Sequence, residues 1–195
     1  MAVPADFTIL DISGKFCMNK QLTNVDDTDK ILGLQGVGWL KRKAIRYATI
    51  TLDIKHYRVD SDDGTKKIEK IDIVQTLTGG IPGTTENRTL TWEERENNDD
   101  LFGPVIGKSR RVKAEELEDE WLKEGWTEDT YEHGVVEAYA KSDTPKSKTT
   151  WVGDQTWGIE LIDGKRMYAR HVNFTGPKGE KVKTKMYYDY IGPLD

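Results

Sequence analysis

The spacing of apolar residues along the chain changes from a helical period to a period of two at about residue 49. Before that point, a short strand is followed by two short helices that meet at a glycine corner. Acidic residues open the first helix, where they complement its dipole, and glycines end it. We therefore predict a helical pair over about residues 26–47.

Beyond residue 49, alternating apolar and polar residues predict strands joined by tight turns. One face of the first such strand carries Ile50, Leu52, Ile54 and His56. Glycine and proline break the pattern at residues 79–83, and a helical stretch at about 113–125 interrupts it again. The apolar side of that stretch carries Leu117, Trp121 and Leu122. In total we expect seven to ten antiparallel strands.

Many short strands and few helices indicate either a barrel or a sandwich. A sandwich has little use for two short helices between its first and second strands, whereas a barrel with an internal cavity can be capped by them. We predict an all-β fold, a closed antiparallel up-and-down β-barrel, in a single domain over residues 1–195. The helical pair would form a helix-turn-helix lid, and the segment at about 113–125 one inserted helix.

Charge and cysteine content narrow the possible partners. The chain has 29 basic and 34 acidic residues, a net charge of −5, and the two signs are interspersed, so no nucleic-acid partner is expected. No stretch approaches the roughly 18 apolar residues of a membrane span, which argues against membrane insertion. The single cysteine, Cys17, allows no internal disulfide, and the first ten residues lack a signal-peptide pattern. We expect a cytoplasmic protein.

Two segments carry a resemblance to the intracellular fatty-acid-binding proteins. The N-terminal match consists of Gly14-Lys15-Phe16, Asp26-Asp27, Leu34, Gly36-Val37-Gly38 and Arg42-Lys43. The C-terminal match consists of the hairpin LIDGKRMYA at 161–169 and of Lys185-Met186-Tyr187, which falls on the family's Arg-x-Tyr. Phe16 replaces the usual tryptophan, Gln35 is inserted, and the middle of the chain departs from the family. The chain thus resembles a divergent member of the calycin group, which includes lipocalin-like barrels.

The resemblance implies that the helical pair covers a cavity and that Lys185 and Tyr187 contact a ligand inside it. A lysine offers a point charge in place of an arginine fork, and the family's second inner arginine aligns with Ile159. A neutral or differently shaped lipophile is therefore favoured over a simple fatty acid. The last strand leaves one point open, since its more apolar face carries Met186 and Tyr188. Either Lys185 faces solvent or the cavity is unusually polar.

Several strand positions pair an aromatic ring with a hydrogen-bonding group, as a small-molecule cavity requires. The candidate ligand-binding residues are Trp39, Arg88, Trp92, Gln155, Trp157, Tyr168, Arg170, Lys185 and Tyr187. Core packing explains the aromatic residues equally well, and Trp39 also suits the seam between helix and barrel. Buried arginine fits simple core packing less well.

The first functional hypothesis is a carrier that encloses a hydrophobic small molecule. The alternative is a cyclase or isomerase, because lipocalin-like barrels include fungal pericyclases that fold a reactive polyene in the cavity. Its candidate catalytic residues are Arg88, Trp157, Tyr168 and His171. No metal-binding or nucleophile motif occurs, so we expect neither metal nor cofactor. A third possibility is a filled barrel that acts through protein contacts at Trp121 and Trp126; the oligomeric state stays undetermined.

Overall fold

Ten strands form one antiparallel sheet in a computed structural model of the chain, which describes residues 1–79 and 83–194. The strands are β1 Gly14–Met18, β2 Ile50–Asp60, β3 Lys67–Leu77, β4 Thr85–Thr89, β5 Arg95–Asp99, β6 Gly103–Val112, β7 Val135–Ser142, β8 Val152–Ile162, β9 Lys165–Thr175 and β10 Lys181–Gly192. Their order is β4-β3-β2-β1-β10-β9-β8-β7-β6-β5. The predicted up-and-down barrel is confirmed, while the predicted break at 79–83 lies largely outside the described residues.

The barrel is nearly closed, with a seam between β4 and β5. These two strands are consecutive in the chain but lie at opposite edges of the sheet. The segment after β4 bridges the seam, because the amide of Trp92 donates to the carbonyl of Ser109 on β6 at 2.8 Å. The side chain of Arg88 on β4 also donates to the Ser109 hydroxyl, at 3.2 Å. β4 and the segment after it therefore reach across the seam to Ser109 on β6.

Two helices, α1 Val25–Leu34 and α2 Trp39–Tyr47, lie between β1 and β2 in the chain. We call them the lid helices. The Asn24 side chain accepts from the amides of Asp26 and Asp27 and so caps α1. A salt bridge of 2.6 Å between Arg42 and Asp29 joins the two helices. Lys20, just after β1, donates to carbonyl oxygens at the end of α2 and fixes the helix to the barrel.

The insertion, residues 113–134, does not form the single helix predicted over about 113–125. It contains a 3-10 turn Ala114–Glu116 and two short helices, α3 Glu120–Lys123 and α4 Glu128–His133; a last short helix, α5 Thr144–Ser147, follows β7. Leu117, Leu122 and Trp126 are all buried against the outside of the barrel. In one helix Leu117 and Leu122 would point about 140° apart, so they could not pack together on one surface. Tertiary packing therefore overrides the local helical preference.

The interior of the barrel is divided into a packed end and a hollow end. The packed end is closed by the N-terminal segment, whose Ile9 and Ile12 are fully buried against the barrel core. Arg111 on β6 donates to the Ile9 carbonyl and also pairs with Glu69. Burial raises the pKa of Glu69, but His56 and Arg111 outweigh it and lower the pKa to about 2. This network anchors the N-terminal segment, whose place in the fold the residue pattern does not predict.

No helix among the described residues has the length and apolar character needed to cross a bilayer.

Gly158 on β8 is expected to be intolerant of any side chain, because the insertion packs directly on it. A Cβ at this position would lie 2.6 Å from the Trp126 ring and 2.7 Å from the Thr130 methyl group. We expect Gly158→Ala to lower the free energy of unfolding by about 1–3 kcal/mol, measured by thermal or denaturant unfolding. Gly153→Ala, in the same strand, is the control, since its Cβ would make an ordinary 3.6 Å contact with Phe174. Equal stability of the two variants would contradict this packing.

Candidate functional site

A cavity of about 560 Å³ occupies the hollow end of the barrel, beneath the lid helices. Much of its wall is apolar, with contributions from both helices and from several strands. This apolar lining includes Ile31, Ile45, Leu77, Trp151, Val172, Phe174 and Met186. Such a space suits a lipophilic small molecule, because enclosing apolar surface is the main favourable term in binding it.

Arg170 lies where the cavity meets the packed core, and its side chain is only 5% exposed. Its Nε donates to the Tyr168 hydroxyl at 3.0 Å, and its Nη1 donates to Glu86 at 3.5 Å. The guanidinium carbon lies 4.0 Å from the centre of the Trp157 ring, a favourable cation–π distance. Nη2 is buried and has no hydrogen-bond partner among the described residues. An unpaired buried donor is costly, and this one is shielded from the cavity as well, because the atom has almost no accessible surface.

A second arginine, Arg88 on β4, shares the same carboxylate. Its Nε and Nη2 donate to Glu86 Oε2 at 2.8 Å and 2.5 Å, and its guanidinium carbon lies 5.1 Å from the Trp157 ring. Glu86 thus stands between two guanidinium groups. Burial raises its pKa, but Arg88 and Arg170 outweigh burial and lower the pKa to about 2. Two cations and one carboxylate give the cluster a net positive charge at neutral pH.

Gln155 adds a second hydrogen-bond donor to the cavity wall. Its Oε1 accepts from the Trp157 indole at 3.1 Å, which fixes the orientation of the amide. The amide nitrogen has no hydrogen-bond partner within the described parts of the chain, and Gln155 lines the cavity. We call Glu86, Arg88, Gln155, Trp157, Tyr168 and Arg170 the floor cluster. Burial also raises the pKa of Tyr168, so its hydroxyl stays neutral.

The floor cluster brings together five of the residues singled out from sequence: Arg88, Gln155, Trp157, Tyr168 and Arg170. Arg88, Gln155 and Arg170 line the cavity, while Trp157 and Tyr168 are fully buried just behind it. Strand alternation predicts all five, because in each strand the residues of one parity face inward. Glu86 was missed. The sequence feature that could have identified it is its position two residues before Arg88, because residues two apart in a strand lie on the same face.

Lys185 and Tyr187, expected inside from the resemblance, lie on the outer face of β10 instead. Thr184, Met186 and Tyr188 line the cavity, so the residues between them point outward. The Lys185 ammonium pairs with Glu160 at 2.7 Å under the insertion, and it is 25% exposed. Of the two possibilities left open, Lys185 therefore faces away from the cavity, but the insertion covers it.

His171, a candidate catalytic residue, is likewise outside the cavity. It follows Arg170 on β9, is fully buried under the insertion, and stacks on the Trp126 ring at 3.9 Å. Its Nε2 lies 2.9 Å from Glu160. Burial lowers the pKa of His171, although the Glu160 carboxylate opposes this effect. His171 therefore links the barrel to the insertion through these contacts.

Two tryptophans also lie away from the cavity lining. Trp39 projects from α2 into solvent and is 64% exposed. Trp92 has a left-handed backbone conformation, with φ of 61°, just after β4 ends. This turn breaks the alternation that was expected to place it beside Arg88. Its ring lies outside, within 4.2 Å of Lys108 and 4.3 Å of Arg110.

The fold and the cavity define the class of structure: a nearly closed up-and-down β-barrel around a partly apolar cavity with a charged floor. Comparison with known proteins adds a similarity over almost the full length. The chain is 29% identical over 194 residues to a probable pericyclase, scpY, from Mollisia scopiformis, covering 98% of this chain and 96% of that protein. It is 28% identical over 200 residues to pericyclase pydY from Acremonium sp, covering 99% and 98%. No protein-family model matches the chain.

Glu86 is expected to stabilise the folded barrel in a pH-dependent way. Glu86→Gln leaves two guanidinium groups without their shared carboxylate, and we expect a loss of about 1–3 kcal/mol at neutral pH. Because the pKa of Glu86 falls from 4.5 to about 2 on folding, the wild-type advantage is complete above pH 4.5 and disappears as pH falls through 2. Thermal unfolding of both proteins at neutral and acid pH measures this difference.

Glu93→Gln is the control for this measurement, because Glu93 forms an ion pair only at the surface, with both side chains more than half exposed. Its unfolding midpoint is expected to stay at the wild-type value at both pH values. A difference between Glu86→Gln and wild type that is unchanged at acid pH would contradict the ionised bridge.

Proposed function

We propose that the protein is a pericyclase that encloses a hydrophobic polyene in the barrel cavity and converts it to a cyclic product. The observation that carries this proposal is the buried, charged Arg170, which Glu86 and Trp157 hold in the wall of a partly apolar cavity. The similarity to two pericyclases over nearly the full length supports it. Without that similarity, the cavity would suit a carrier equally well.

A pericyclic ring closure forms its new bonds from the π electrons of the substrate itself. No proton is transferred and no group leaves, so substrate and product have the same mass. The requirement on the protein is to hold a flexible chain in the folded conformation in which the reacting carbons meet. Confinement supplies this by removing conformational freedom before the reaction. The apolar walls, such as Val172 and Phe174, would hold the polyene by contact and desolvation.

The floor cluster would supply the electrostatic part of catalysis. A hydrogen bond from Arg170 to a substrate carbonyl withdraws electrons from an alkene conjugated with it and makes that alkene more reactive. Such a donor helps most when it is already fixed, because no reorganisation is then needed during the reaction. Glu86 and Trp157 hold the Arg170 guanidinium, and Arg88 holds Glu86 in turn. Gln155 provides a second donor at the same end of the cavity.

Replacing Arg170 should separate catalysis from folding. We expect Arg170→Met to slow cyclisation by about 10- to 100-fold, the value of one hydrogen bond from a charged donor. The assay follows loss of the polyene absorbance and appearance of a product of unchanged mass by chromatography and mass spectrometry. Arg58→Met is the matched control, because Arg58 is exposed on β2 and does not line the cavity. Its rate should equal that of the wild type.

Two results would overturn the proposal. An Arg170→Met protein that folds and turns over at the wild-type rate would remove the floor cluster from the reaction. Saturable binding of conjugated polyenes by the wild type, with no conversion above the rate in buffer, would favour a carrier instead. A displacement assay with a fluorescent lipophile, run beside the turnover assay, distinguishes the carrier from the enzyme.

A further inference from the structure

The second lid helix exposes an apolar face to solvent. Trp39, Lys43 and Tyr47 recur at every fourth position of α2 and therefore form one stripe, with Leu40 beside them. Trp39, Leu40 and Tyr47 are 64%, 74% and 76% exposed. On the opposite side of the helix, Ile45 is buried and lines the cavity. A helix that only closed a barrel would show a polar outer face, whereas clustered exposed apolar side chains mark an interaction surface.

The charge of this helix is opposite to that of the protein as a whole. α2 contains four basic residues and no acidic residue, in a chain with a net charge of −5. Arg42 and Arg46 form salt bridges with Asp29 and Asp26 of α1. Lys41 and Lys43 are both exposed, and the Lys43 ammonium lies 4.8 Å from the centre of the Trp39 ring. The outer face of α2 thus combines exposed aromatic rings with lysine ammonium groups.

A shallow cleft of about 210 Å³ lies beside this outer face, and two of its lining residues, Asp29 and Arg46, also line the barrel cavity. It is lined by Asp29, Trp39, Lys43, Arg46 and Tyr47. The Lys43 ammonium beside the Trp39 and Tyr47 rings suits a phosphate group at a lipid surface, while Arg46 and Asp29 are engaged in the salt bridges with Asp26 and Arg42. Cations there attract anionic head groups, while tryptophan and tyrosine rings settle at the boundary between head groups and acyl chains.

We propose that the outer face of α2 docks on an anionic phospholipid membrane. In this arrangement Trp39, Leu40 and Tyr47 enter the head-group region, and Lys41 and Lys43 contact lipid phosphates. The contact is with the membrane surface and involves no span. The inner side of the same helix lines the cavity, so docking places the lid helices at the bilayer, where lipophilic molecules concentrate. The proposal does not depend on the pericyclase activity.

Vesicle flotation with the full chain tests this docking. The probes are vesicles of phosphatidylcholine alone and vesicles in which about a third of the lipid is phosphatidylserine. We expect binding to the anionic vesicles, weak binding to the neutral ones, and weaker binding as salt concentration rises. A wild-type protein that floats with neither vesicle would overturn the proposal.

Two variants assign the binding to α2. Trp39→Ser/Leu40→Ser/Tyr47→Ser should reduce binding to anionic vesicles by about tenfold or more, through lost apolar burial. Lys41→Glu/Lys43→Glu, which alters no buried side chain, should reduce it by a similar factor. The control is Val74→Ser/Leu161→Ser, which removes two apolar side chains that are 48% and 58% exposed elsewhere on the barrel.

Binding that persists in both α2 variants would overturn the assignment. The same holds if sizing chromatography shows a dimer that the apolar α2 variant dissociates, because a second copy of the chain would then cover this face. Thermal unfolding of each variant verifies that the fold is retained.

Discussion

The hollow half of this barrel depends on how one buried guanidinium group is kept in place. Arg170 sits where packed side chains give way to the cavity, and it is nearly inaccessible to solvent. A charge in such a position requires compensation, which the Glu86 carboxylate, the Tyr168 hydroxyl and the Trp157 ring provide. These partners satisfy the guanidinium incompletely. Together these groups place a fixed charge in one part of the cavity wall.

Adjacent residues of one strand serve different purposes because they project to opposite faces of the sheet. On β9, Arg170 points to the cavity, whereas His171 points outward and joins Glu160 and the Trp126 ring beneath the insertion. A shift of one residue in strand register would exchange these two environments. The insertion acts against such a shift, since it packs on the outer face of β8, β9 and β10. Its polar network thus helps to keep the floor cluster facing inward.

The periodicity of the sequence, together with the position of the two short helices between the first strands, was sufficient for the barrel and for most of the floor cluster. Alternation alone identifies the inward faces of β8 and β9, and with them Gln155, Trp157 and Arg170. Alternation also favoured an outward-facing Lys185, whereas the resemblance to fatty-acid-binding proteins implied that Lys185 faces the cavity. The structure agrees with the alternation. Alternation could not predict the position of Trp92, because β4 ends before it and Trp92 itself has a left-handed backbone conformation.

Periodicity did not predict two other features correctly. The insertion has helical spacing over about 113–125, yet it folds as short pieces so that Leu117, Leu122 and Trp126 reach one surface. This outcome depends on the barrel surface beneath it, which local spacing does not describe. The N-terminal segment fills the packed end with Ile9 and Ile12, held by Arg111 from a distant strand. Such long-range contacts follow from the nearly closed barrel and not from the segment itself.

The lid helices take part in both the proposed enzyme function and the proposed membrane docking, because α2 has one side toward the cavity and one toward solvent. In the proposed function the cavity receives a lipophilic molecule that is poorly soluble in water, so its entrance would benefit from contact with an apolar phase. α2 is apolar toward the cavity at Ile45 and apolar toward solvent at Leu40, with lysines at the outer edge. The outward apolar face has an unfavourable hydration cost in a free protein. That cost is recovered only if the face is covered, and a membrane in contact with α2 would cover it while supplying the molecule that the cavity receives.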